Sequence, residues 1–123
     1  MPRCIIVDDH SDTRAGYAEF FSAFGFEVRT AGDAEGLRAI LREWTPHAIV
    51  LDLQLPQIDG WQLTREIKAN PATKDIPIVV VSACVMPNER AAAEAAGCDV
   101  FINKPVDPML ILNELTRLTG SRA

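Results

Sequence analysis

Four short apolar runs in this chain each stop at a polar residue. Cys4-Ile5-Ile6-Val7 stops at Asp8-Asp9, and Ala48-Ile49-Val50-Leu51 stops at Asp52. Ile78-Val79-Val80-Val81 stops at Ser82, and Val100-Phe101-Ile102 stops at Asn103-Lys104-Pro105. Continuous β-branched runs of this length read as strands buried on both faces, as in a parallel sheet covered by helices. Parallel strands would bring all four polar ends out along one edge of the sheet. Three carboxylates, a hydroxyl and an ammonium would then share one crevice.

Helix signals alternate with the strands. Asp12 can cap a first helix running to Phe24, with Tyr17, Phe20, Phe21 and Phe24 on one face and Gly25 at its end. Phe26 to Thr30 reads as a short half-exposed strand. Asp33 can cap a second helix, with Leu37, Ile40, Leu41 and Trp44 inward and Pro46 as its stop. A third begins near Gly60 with Trp61, Leu63 and Ile67 inward, and Asn70-Pro71 breaks it. Pro87 suits the first turn of an alanine-rich fourth helix that ends at Gly97. Asp107-Pro108 opens a fifth, with Ile111, Leu112, Leu115 and Leu118 inward. Five strand–helix pairs with short connections predict a doubly wound α/β domain with helices on both faces of a five-stranded parallel sheet. In such sheets ligands gather beyond the carboxyl ends of the strands.

The length of 123 residues fits one domain, and 48% hydrophobic residues can fill its core. No linker, repeat or low-complexity segment interrupts it. Seventeen acidic against twelve basic residues leave a charge of -5, which argues against non-specific nucleic-acid binding. Cys4, Cys84 and Cys98 lack metal-type spacing and read as reduced thiols. No run approaches the ~20 apolar residues that span a bilayer. A cytoplasmic location is expected. Met1 reads as a native start, and the chain is expected to stand alone as one domain over 1–123.

The strand ends define the chemistry. Carboxylates brought together repel unless a cation sits among them. An all-oxygen set favours a hard ion such as Mg²⁺, which takes one or two carboxylates plus phosphate oxygens. That leaves Asp52 an oxygen with which to attack phosphorus and form an acyl phosphate. Lys104 is a mobile point charge for the far side of the phosphoryl group, and Ser82 can donate a hydroxyl hydrogen bond. Small Ala83 leaves room beside it. A P-loop would need a Gly-Lys-Ser/Thr turn, and none is present. A dinucleotide site would need a glycine-rich first turn, where this chain has Asp8-Asp9-His10-Ser11-Asp12; a flavin site meets the same objection. A haloacid-dehalogenase-type phosphatase would want Asp where Gln54 stands. His10 reads as a solvated loop residue, His47 as bland, and Trp44 and Trp61 as helix-packing residues.

These motifs, in this order, resemble the receiver domains of two-component response regulators. The residues that carry the likeness are Val7-Asp8-Asp9, Leu51-Asp52-Leu53-Gln54-Leu55-Pro56-Gln57-Ile58-Asp59-Gly60, Val81-Ser82-Ala83 and Asn103-Lys104-Pro105. The resemblance spans the whole chain and implies a flavodoxin-like sheet of order 2-1-3-4-5. It implies that Asp52 accepts a phosphoryl group from a histidine kinase or a histidine phosphotransfer protein, and that a downstream effector protein reads the result. Neither direct nucleic-acid contact nor a membrane is implied, nor a turnover enzyme. Asp9 and Asp52 would ligate Mg²⁺ directly, Asp8 mostly through water, and Gln54 through its backbone carbonyl. Ser82 and Lys104 would bind the phosphoryl oxygens, with a cis Lys104–Pro105 bond. Ser82 and Phe101 would form the switch on the face of helix four, strand five and helix five. Phe101 departs from the Tyr common at its place and has no hydroxyl to offer. Gln54 and Cys84 fall where the family tunes phosphoryl lifetime. The resemblance also admits a receiver cut from a larger regulator or hybrid kinase, and a pseudo-receiver that binds partners without phosphorylation.

Overall fold

The four apolar runs and the half-exposed segment after the first helix form five strands: β1 (Arg3–Val7), β2 (Glu27–Ala31), β3 (Ala48–Asp52), β4 (Ile78–Ser82) and β5 (Val100–Asn103). A computed structural model describes residues 1–53, 55, 58–83 and 87–120. All the strand pairs are parallel, in the order β2-β1-β3-β4-β5. Between and after the strands run α1 (Ser11–Ala23), α2 (Ala34–Glu43), α3 (Gly60–Ala69), α4 (Pro87–Ala96) and α5 (Pro108–Thr119).

Alternate residues of each strand face opposite layers, which is why the core is double. Ile5, Val7, Ile49, Leu51, Ile78 and Val80 pack on one side with Leu37 of α2 and Leu63 and Ile67 of α3. Cys4, Ile6, Val50, Val79 and Val81 pack on the other with Phe21 of α1 and Ile111, Leu112 and Leu115 of α5. Every residue of β3 and β4 is buried, whereas β2 exposes Glu27, Arg29 and Thr30 as an edge strand should.

Two of the three expected caps are present, and Asp59 adds one beyond those expected. The side chains of Asp33, Asp59 and Asp107 accept hydrogen bonds from the amides of Gly36, Trp61 and Met109 at 2.8, 2.9 and 2.9 Å. Pro87 and Pro108 each begin a helix, and Gly25 and Gly97 take positive φ of 95° and 91° past the ends of α1 and α4. One expected cap is overturned. Asp12 lies inside the first turn of α1, and His10 holds the N-cap position with no side-chain cap bond. The helix starts earlier because His10 is drawn back by its own amide, which donates to Asp8 Oδ1 at 2.9 Å. α1 also stops at Ala23, and Phe24 stands 39% exposed rather than in the core. β2 begins and ends one residue later than expected, because Glu27 pairs with Arg3 and Ala31 with Val7.

Candidate phosphoacceptor and cation site

The carboxyl ends of β1, β3, β4 and β5 deliver their polar residues to one edge, as parallel pairing requires. The register sets Asp52 beside Val81 and Ser82 beside Asn103. Asp8, Asp52 and Ser82 are buried, at 2%, 4% and 0% exposure. Asp9 and His10 open to solvent on the turn into α1.

Asp8 is held at both backbone ends. Its amide donates to Ala31 at 3.1 Å, and its carbonyl accepts from Arg14 Nη1 at 2.7 Å. Gly32 leaves the space that Arg14 uses, since a Cβ there would fall 2.9 Å from the same Nη1. The Asp8 carboxylate then faces two ways. Oδ1 accepts from the His10 amide, while Oδ2 lies 3.7 Å from Lys104 Nζ. Lys104 donates to Asp52 Oδ2 at 3.2 Å. Its backbone amide donates to the Ser82 carbonyl at 2.8 Å, and its bond to Pro105 is cis.

Burial alone would lower the Lys104 pKa, but the Asp52 charge and hydrogen bond, with Asp8 behind them, outweigh it and hold the value above normal. The ammonium therefore stays charged through the neutral range. Tyr17 stands nearby on α1; burial raises its phenol pKa, Lys104 opposes, and Asp8 and Asp52 reinforce. Thr13, Tyr17, Ala83, Lys104, Pro105 and Val106 line an open cavity of about 440 Å³ beside the site.

Asp8, Asp9, His10 and Asp52 each bring a ligand atom within 4.8 Å of the others. Such an array can hold a divalent cation, and its oxygen donors suit a hard ion. Asp8, Asp9, Asp52, Ser82 and Lys104 are thus gathered at one edge. Gln54 and Cys84 lie outside the described residues. Phe101 is on β5, half-buried, and stacks on Trp61 with ring centroids 5.9 Å apart and planes at 21°. Three further residues reach the site with little or no sign of it in the sequence. Arg14 and Tyr17 sit at helical spacing after Asp9, but nothing in their types marks the side they face. His10 is legible only as a neighbour of Asp9; its ring meets the carboxylates, with Nδ1 3.0 Å from Asp9 Oδ1 and 3.3 Å from Asp8 Oδ1.

Comparison with known proteins bears on the same residues. The transcriptional regulatory protein PrrA of Mycobacterium tuberculosis is 40% identical over 126 aligned positions, which take in 99% of this chain and 53% of PrrA. The chain thus spans about half the length of that relative. The polar-differentiation response regulator DivK of Brucella anthropi is 31% identical over 108 positions, 86% of this chain and 87% of DivK. A CheY-like receiver domain protein from Methanospirillum hungatei JF-1 has the same fold, with a TM-score of 0.90 at 22% identity, covering 98% of this chain and 94% of that one. The model of the response regulator receiver domain matches residues 4–116, a span that includes every polar strand end described above. With that match and with relatives such as DivK, this chain belongs to the receiver domains of response regulators, the phosphoaccepting signalling domains of two-component systems.

Proposed function

We propose that Asp52 is the phosphoacceptor, that Mg²⁺ is the cation, and that the span 1–123 works as one receiver domain. The observation that carries this reading is the buried Asp52 carboxylate, 3.2 Å from the Lys104 ammonium on a strand end beside Ser82. The donor is a phosphohistidine of a histidine kinase or a phosphotransfer protein. An Asp52 oxygen attacks phosphorus, the new P–O bond forms, and the P–N bond breaks. Its electron pair stays on the donor imidazole, and an acyl phosphate is left on Asp52. Lys104 swings from the carboxylate to the transferred oxygens, and Ser82 donates its hydroxyl to another. Asp8, Asp9 and Asp52, with the backbone carbonyl of Gln54, would hold Mg²⁺. The ion, when bound, would supply positive charge against the phosphoryl oxygens.

Ser82 drawn toward the phosphoryl group leaves room for Phe101 to turn inward, which alters the α4–β5–α5 face that a downstream effector reads. Gln54 and Cys84 set how long the acyl phosphate lasts. The proposed location is the cytoplasm, where the chain would meet its phosphohistidine donor. No helix among the described residues is long and apolar enough to cross a membrane. Incubation with acetyl phosphate and Mg²⁺ should add one phosphoryl mass to the wild type and none to Asp52→Asn. A wild type that stays at its unmodified mass, or an Asp52→Asn variant that gains as much, overturns the assignment.

A further inference from the structure

His10 gives this cation site something that its carboxylates lack, a nitrogen donor. Its Nδ1 lies 3.0 Å from Asp9 Oδ1 and 3.3 Å from Asp8 Oδ1, and a ring nitrogen falls within 4.8 Å of a carboxylate oxygen of Asp52 as well. Adjacent ligands on an octahedral ion with bonds of ~2.1 Å lie about 3.0 Å apart. Both spacings lie in hydrogen-bond range, and they are also close to those of neighbouring ligands on one ion. The backbone that carries the ring is also held in place. The His10 amide is tied to Asp8 Oδ1 at 2.9 Å, and the residue starts α1. The ring is 67% exposed, so an ion can enter on its side without opening the core.

We propose that His10 Nδ1 is a protein ligand at the Asp8–Asp9–Asp52 site, so that this receiver binds first-row transition ions more tightly, relative to Mg²⁺, than its carboxylates alone would. The inference rests on the cation-site reading given under Proposed function. Its chemical basis is the hardness of the ions. Mg²⁺ takes oxygen donors and keeps its waters, whereas divalent transition ions gain from imidazole. The ring would carry its proton on Nε2 and present the Nδ1 lone pair to the ion. Placed among three carboxylates, one nitrogen changes the selectivity without removing any oxygen that a phosphoryl group needs.

Pulsed EPR of bound Mn²⁺ tests this without any phosphorylation. The wild type at about pH 8 should show ¹⁴N modulation from a directly bound imidazole. His10→Gln should lose it while still binding Mn²⁺, and His47→Gln should keep it. Calorimetry with Co²⁺ and Mg²⁺ gives the second reading. The Co²⁺ preference should fall on the order of tenfold in His10→Gln, with Mg²⁺ affinity little changed. Three results overturn the proposal: no nitrogen modulation in the wild type, modulation that persists in His10→Gln, or an unchanged Co²⁺ preference. If the ions bind, and Asp9→Asn abolishes them, but no nitrogen is seen, the cation site stands and only the role of His10 falls. If no divalent ion binds the wild type at all, both fall.

Discussion

Lys104 is the residue on which two parts of the site depend. Its side chain bridges Asp52 and Asp8, at 3.2 and 3.7 Å, and its backbone is bonded to Ser82. Removing the ammonium leaves the candidate cation ligands Asp8, Asp9 and Asp52 in place but takes away the charge facing them. Lys104→Ala should therefore keep divalent-ion affinity within about threefold, since the variant deletes no oxygen ligand. Its phosphorylation by acetyl phosphate should slow on the order of a hundredfold, as for loss of one aimed donor. Amide chemical shifts of α4 should no longer respond to the modification that remains. An α4 response equal to that of the wild type would show that Lys104 had been given the wrong role. Among single residues, Asp8, Asp9, Asp52, Ser82 and Lys104 are legible in the sequence because each ends or follows an apolar run. Arg14 is not, because a lone arginine on a helix carries no sign of its target. Only its hydrogen bond to the Asp8 carbonyl, past the space at Gly32, reveals that target.

At the scale of elements, the join between the end of β3 and the start of α3 leaves the least room of any described glycine contact. A Cβ on Gly60 would fall 2.5 Å from Leu53 Cα and 2.9 Å from the Leu53 carbonyl oxygen. Those are backbone atoms that cannot move aside, and Gly60 itself donates to the Leu53 carbonyl at 3.2 Å. Gly60→Ala should therefore cost about 2–3 kcal/mol through overpacking. Urea unfolding would measure it, and a loss below about 0.5 kcal/mol would mean that the helix slides freely. Gly32→Ala meets only the end of the Arg14 side chain and should cost much less. The order of strands and helices is legible in the sequence, since period and punctuation agree at nearly every boundary. β3 and β4 are apolar up to the polar residue that ends each, and Asp33 and Asp107 stand where caps belong. α1 departs from its pattern at both ends, and for local reasons. Its start is fixed by a side-chain bond from Asp8 two residues back, and the aromatic run Tyr17 to Phe24 outlasts the helix that carries it. The Trp61–Phe101 stack is equally hidden, because helix and strand patterns do not reveal which aromatic rings meet across layers.

For the whole molecule, stability should fall on the alkaline side. Burial raises the Cys4 thiol from 9.0 to about 12. Burial also leads the rise at Cys98, and the Lys104 pKa is raised once its carboxylate partners outweigh desolvation. In each case the folded state keeps protons that the unfolded chain has begun to lose. Stability is therefore full below the unfolded values and falls as pH rises past them. For Cys4 the slope approaches about 1.4 kcal/mol per pH unit between the thiol's ordinary value and its folded one. Unfolding free energies between about pH 9 and 10.5 should decline in the wild type and decline less steeply in Cys4→Ala. An identical slope in the two would mean that the buried thiol of β1 contributes nothing to the loss.

The bond from the Lys104 amide to the Ser82 carbonyl has a mechanical consequence. Strand pairing runs one residue past the end of the sheet, so the two residues that would grip a phosphoryl oxygen share a single rigid rung. Their backbones cannot advance or retreat separately. Any closure on a phosphoryl group would move the two as one piece.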